Sequence, residues 1–288
     1  MTIPTITNAH SQKFLQLIRQ RYPDWSSFED LQLIEDELGY KNQAIQKARE
    51  LLSKERYQEL MHSGDYDEII SLLKKIAQGG KNLLYLASGK SSDIGVLYRD
   101  DLDRASFCRQ FYNFLFDSKP SPERLEVMVK FLTDQKLPAR WAFLTYYLFL
   151  YHPDQDIYCK PGMMKWFLIF LGYVPGLANP PSQETYFAVL DLCKQMSNLL
   201  DPQPRDMVDL HSLIWVAYSE KGKELGAPFN EFFESWEQAT QGLDLFAEVL
   251  RKLGITSPDD RRFSITTPSF QKGRRCLRLD YGRGTPVD

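Results

Sequence analysis

Asp154, Asp156 and Lys160, in the stretch HPDQDIYCKP, are the residue types of a metal-dependent phosphodiesterase. Two carboxylates could hold a divalent ion while the ammonium polarises the attacked phosphate. The spacing does not complete that set, because the chemistry usually places an acid two residues before the lysine and Tyr158 stands there. Asp191 with Lys194 and Glu37 with Lys41 fail in the same way. The three connector residues stay as candidate functional positions, and a metal-dependent nuclease is the second alternative function. Ser88-Gly89-Lys90-Ser91 offers the lysine and hydroxyl of a phosphate loop, but Leu84 stands where its first glycine is needed, so a polar turn is the simpler reading.

The histidines, His10, His62, His152 and His211, are scattered, and none has a Ser or Cys partner that spacing alone would pair with it. His211 shares a helical stretch with Asp209 and Trp215 and reads as a satisfied core or boundary residue. Cys108, Cys159, Cys193 and Cys276 are far apart, with no C-x-x-C pair and no His at zinc-ligand spacing, so they read as reduced thiols. Arg205-Asp206 and Asp209 precede the apolar LHSLIWV; the acids suit a helix N-terminus, and a paired Arg205 could also organise a groove. Spacing assigns no catalytic residue, no metal ligand and no cofactor.

Charge points elsewhere. The net charge of -3 hides an asymmetry, because from Arg251 onward nine Lys or Arg face four Asp, about +5, leaving about -8 before it. Arg261, Arg262, Lys272, Arg274 and Arg275 alternate with Phe263, Phe270 and Tyr281, a pattern that supports phosphate contact with base stacking. These five cations are the candidate nucleic-acid-binding residues; a solvated hairpin is the plainer reading of the same pattern.

The elements that must position these groups are mostly helical. Apolar spacing predicts a helix over Asn8 to Tyr22 stopped by Pro23, an amphipathic pair over Phe28 to Ser53, and further helices over Glu55 to Met61 and Tyr66 to Ala77, with Gly64-Asp65 as C-cap and N-cap. Two short apolar runs, Asn82 to Ala87 and Ile94 to Tyr98, allow a short β pair near residues 82-98. Asp101 or Asp103 caps a helix with an aromatic stripe, and Pro122 opens the next.

The densest apolar stretch, Leu137 to Tyr173, divides into helices Arg140 to Tyr151 and Gly162 to Leu171 around the polar connector. Helices over Glu184 to Leu200, Asp206 to Tyr218 and Pro228 to Leu253 follow, and residues around Gln271-Lys272-Gly273 carry a hairpin signal. The expected architecture is mainly α: a compact multi-helix domain over 1-254 with a basic C-terminal β-hairpin appendage over 255-288. With 43% apolar and 25% charged residues, a chain of 288 needs no staple to hold a core. The N-terminus lacks signal-peptide character and no window reaches the roughly 18 apolar residues of a membrane span. A cytoplasmic protein without membrane partners is expected.

Four ordered segments carry a family resemblance: YPDWSSFEDLQLIEDELGYKNQAIQKARELLS, NLLYLASGKSSDIGVLYRDDLDRASFCRQFYNFLF, TYYLFLYHPDQDIYCKPGMMKWFLIFLG and PRDMVDLHSLIWV. Together they resemble the helical accessory region of McrB-type prokaryotic restriction and anti-phage defence proteins, across most of residues 20 to 283. The resemblance implies a non-catalytic nucleic-acid-recognition or accessory module beside a motor AAA+ ATPase or a nuclease carried by other domains or chains. A protein-interaction scaffold docking such a partner is the first alternative. The chain shows no acceptable Walker A, Walker B or nuclease motif, so no catalytic residue is carried over. LRLDYGR resembles the start of a strand region that continues in longer relatives, which would make this chain a fragment or a short version.

Overall fold

The computed structural model describes residues 2–80, 83–86, 89–224, 263–271 and 274–281; for 221–224 and the two strands the backbone alone is described. The chain divides into two compact units, Met1–Glu220 and Lys221–Asp288. The sequence-based boundary at 254 falls outside the described residues.

The first unit is helical. In order it contains α1 (Asn8–Arg21), α2 (Leu31–Leu33), a π-helical turn (Ile34–Leu38), α3 (Gly39–Leu51), α4 (Lys54–Ser63), α5 (Tyr66–Gly79), α6 (Arg104–Phe116), α7 (Ser121–Asp134), α8 (Trp141–Tyr151), α9 (Pro161–Phe170), α10 (Gln183–Leu199) and α11 (Met207–Glu224). Local chemistry sets many of the boundaries. Asp103 accepts the Ser106 N–H as N-cap of α6, Pro122 sits in the first turn of α7, and Gly64 at φ 78 ends α4 in the left-handed region that favours glycine.

Among the described residues, no strand forms near residues 82-98, where a short β pair is allowed by the sequence. Gly89–Ser91 and Gly95–Tyr98 are 3₁₀ turns, and Leu83 and Leu84 are buried without strand partners. Asp93 closes this segment as a loop: its Oδ2 accepts the Tyr85 N–H at 2.7 Å and its own N–H donates to the Tyr85 carbonyl at 2.9 Å. With those groups used locally, no ladder can propagate.

α8 is the core element. Ten of its eleven residues, Trp141 through Leu150, are buried, so it is apolar all round as a central helix must be. Its tyrosines resolve the usual difficulty of burying a hydroxyl by donating to backbone carbonyls of neighbouring segments. Tyr147 reaches Leu73 O at 2.8 Å, Tyr146 reaches Ile76 O at 3.2 Å and Tyr151 reaches Leu52 O at 2.6 Å. Phe111 of α6 stacks against Phe143 and meets Tyr147 edge-on, and Phe107 packs tilted against Phe143, which ties α6 to the same helix.

Gly80 is set by this packing, since a Cβ there would overlap the Tyr146 hydroxyl, which is buried and hydrogen-bonded. Gly80→Ala is therefore expected to destabilise the protein by about 1–3 kcal/mol, the usual range for overpacking. Urea unfolding reads this; an unchanged midpoint would show that the tyrosine can move aside.

In the second unit, β1 (Phe263–Gln271) and β2 (Arg274–Tyr281) pair antiparallel, with Phe263 opposite Tyr281, Phe270 opposite Arg275 and Gln271 opposite Arg274. The register shifts between Thr266 and Ser269, where Pro268 has no N–H to give a ladder. The helix expected over Pro228 to Leu253 lies outside the described residues.

Candidate functional site

The connector after α8 is fastened along its length. The Asp156 N–H donates to His152 O at 2.8 Å, Pro153 O accepts the Met207 N–H at 2.8 Å, and the Cys159 N–H donates to Thr145 Oγ1 at 2.9 Å. His152 Nε2 lies 2.6 Å from Leu115 O, a contact that requires the proton on Nε2.

This scaffold sends the three connector candidates to three different environments. Asp154 is exposed. Asp156 is fully buried, accepting from Ser121 Oγ at 2.7 Å and Tyr186 OH at 3.0 Å, with Arg124 Nη2 3.9 Å away. Burial pushes its carboxyl above the ordinary range, and the two hydroxyls and Arg124 draw it back. Arg124 completes the knot: it donates to Ser121 Oγ at 2.7 Å, to Leu115 O at 2.7 Å, to Phe114 O and to Lys119 O, satisfying carbonyls at the end of α6. The result joins α6, α7, α10 and the connector through one ion pair, with both Asp156 oxygens committed to protein donors.

Lys160 is half-buried, its Nζ 4.5 Å from the centroid of the Trp215 ring. Burial lowers its pKa, while Asp93 and Glu37 pull the other way. Those carboxylates lead to a second buried centre, around the Glu37 and Lys41 pair whose spacing fails the nuclease pattern. Lys41, with no exposed surface, donates to Glu37 Oε2 at 2.9 Å and to Ser212 Oγ at 2.8 Å, and the Tyr40 hydroxyl donates a second bond to the same carboxylate at 3.2 Å. Burial lowers the Lys41 ammonium to about 8 against the attraction of Glu37. Glu37 belongs to the π-helical turn, which shifts the side-chain register just before α3.

His211, one residue before Ser212, packs against Phe149 and Tyr158, its ring centroid 5.5 Å from each, and those two rings lie 6.4 Å from one another. Neither of its ring nitrogens has a hydrogen-bond partner among the described residues. Burial, and then the charges of Lys41 and Lys160, hold its pKa well below 6.5. The residue is core, as expected, while none of the described residues satisfies its ring nitrogens.

The acidic turn before α11 caps as expected. Asp206 Oδ1 accepts the Val208 and Asp209 N–H groups, and Arg205 grips Asp209 through Nε at 2.8 Å and Nη2 at 3.0 Å. Cys108, Cys159 and Cys193 are free, buried thiols. Among the described residues no group of three or more His, Cys, Asp or Glu side chains could hold a metal ion, and no helix is long and apolar enough to cross a membrane.

The five candidate nucleic-acid contacts fall in the second unit. Arg261, Arg262 and Lys272 lie outside the described residues. Arg274 and Arg275 open β2, their backbones paired with Gln271 and Phe270 at the turn end of the hairpin.

Sequence reasoning missed Ser212 and Arg124, and weighed Glu37 with Lys41 only as a nuclease pair, not as a buried ion pair. A signal existed for Lys41, which stands four residues before Ile45 and seven before Ala48 and so shares their apolar stripe, with Glu37 one turn earlier. Comparison of the chain with family models, with curated proteins and with solved structures finds no match.

Proposed function

We propose that this chain is a non-catalytic nucleic-acid-recognition or accessory module of a prokaryotic restriction-type defence system, acting beside a motor ATPase or nuclease carried by another domain or chain. The observation that carries this reading is the backbone register of the basic hairpin. Arg274 and Arg275 stand opposite Gln271 and Phe270 in the ladder, and in sequence Arg261, Arg262 and Lys272 flank the two strands. Cations paired in a two-stranded ribbon and interleaved in sequence with aromatics suit backbone phosphates and stacked bases. The ordered segments resembling McrB-type accessory regions supply the defence context. The non-catalytic part is supported by Asp156, whose two oxygens already serve protein donors.

The test is an electrophoretic shift with single-stranded and duplex DNA. Binding is expected at about 50 mM salt and should weaken by roughly two to three orders of magnitude at about 200 mM, as release of counterions from about five phosphates requires. The variant R274E/R275E should lose most of the low-salt affinity. Absence of any shift at micromolar protein and low salt would overturn the proposal.

A further inference from the structure

A cleft of about 350 Å³ in the first unit lies between the start of α8, the first turn of α9 and the loop that follows α9. Its volume is at the lower end of the roughly 300–1,000 Å³ usual for small-molecule sites. Trp141 and Leu177 give it an apolar lining, and the Trp141 indole is fixed there by donating to Ala178 O at 2.5 Å.

Two cations line the same space. Arg140 is held by Ser91 O at 3.0 Å and Ser92 O at 2.6 Å; both bonds run from Nη1, so Nε and Nη2 hold donors that those carbonyls do not use. Lys165 is exposed on α9, four residues after Pro161 and therefore above the first turn of its own helix. Gly162, second in that helix, also lines the cleft and brings a backbone N–H that has no acceptor within the helix. The one carboxylate in the lining, Asp93, has its Oδ2 occupied by the Tyr85 N–H, so two cations face one carboxylate in the cleft.

We infer that this cleft is a binding site for a phosphomonoester attached to a flat or apolar body, such as a nucleoside 5′-phosphate. Two side-chain cations and a helix-end N–H can meet three phosphate oxygens, where a carboxylate would supply only two. The apolar lining then accounts for the body of the ligand. The chemistry has two sources, a free mononucleotide or the phosphorylated end of a nucleic-acid strand. Every residue involved belongs to the first unit, so the inference does not depend on the reading of the basic hairpin.

Calorimetric titration of the full chain at low salt tests it with four probes: AMP, inorganic phosphate, and a short oligonucleotide bearing either a 5′-phosphate or a 5′-hydroxyl. AMP should bind more tightly than inorganic phosphate, and K165E should weaken AMP by about tenfold or more, the usual effect of losing a charged hydrogen bond. R274E/R275E should leave AMP binding within about twofold of the parent, since it touches only the hairpin. If the 5′-phosphorylated strand competes with AMP and the 5′-hydroxyl strand does not, the source is a strand end; if neither strand competes, it is a free nucleotide. Failure of AMP to bind at ~10 mM, or parental AMP affinity in K165E and K165Q proteins with parental melting curves, would overturn the inference.

Discussion

Asp156→Ala is expected to cost about 3–5 kcal/mol of folding stability, because it leaves the Arg124 guanidinium buried without its counter-charge. The two partners have side chains only 5% and 0% exposed, so water cannot replace the lost carboxylate. Ser121 and Tyr186 lose their acceptor at the same time. Urea unfolding should show a lower midpoint with an unchanged slope. Asp154→Ala, two residues away and exposed, should stay within about 0.5 kcal/mol of the parent. Adding Arg124→Met to Asp156→Ala should recover part of the loss, because the stranded charge is then gone. A parental midpoint for Asp156→Ala would show that the knot is not what fastens the connector. The same pair of variants separates structure from chemistry: a metal site built on the connector would need both carboxylates, whereas the knot needs Asp156 alone.

The contrast between those two aspartates also measures what the sequence could show. Local signals worked where the causes were local. Pro23, Gly64, Asp103 and Pro122 act on their own turns, and the helices begin and end beside them. The unbroken apolar run of α8 identified it as core by composition alone. Cysteines without metal or disulfide spacing are free thiols where they are described.

The failures share a different cause, which is that the deciding partner is remote. Asp156 is 35 residues from Ser121 and 30 from Tyr186, and Lys41 is 171 residues from Ser212. Nothing in HPDQDIYCKP distinguishes a carboxylate that faces water from one that closes a core knot. The runs at 82-98 failed in another way. Their composition suits strands, but a strand needs a partner ladder, and Asp93 offered the Tyr85 backbone a nearer one. For the basic segment, alternation predicts a hairpin but not its register, which the pairing of Phe263 with Tyr281 sets.

His211 carries the other large expected effect, and its sign can be worked out. Its two nitrogens are buried against Phe149 and Tyr158 with no partner among the described residues, so burying the neutral imidazole carries a desolvation cost. Replacing it with Phe, which can pack against the same rings, should stabilise the protein by about 1–3 kcal/mol at neutral pH.

The pH dependence gives a second readout that does not hinge on how well Phe packs. The folded pKa is held well below the ordinary 6.5 by burial and by Lys41 and Lys160, so below about pH 6.5 the unfolded chain binds a proton that the native state refuses. Stability is then lost as the pH falls, by up to about 1.4 kcal/mol per pH unit from this one group. The other groups facing the imidazole bear on the same window in known ways. Glu37 keeps Lys41 charged at these pH values, since burial lowers that ammonium only to about 8, and the Tyr158 hydroxyl, raised well above 10 by burial, stays neutral throughout. Between pH 5 and 6.5, H211F should therefore unfold with a shallower dependence on pH than the parent, by close to one proton. Parallel stability curves for the two proteins across that range would mean that the imidazole is already protonated, or solvated, in the native state, and that its burial against the two rings does not set the acid limit of this fold.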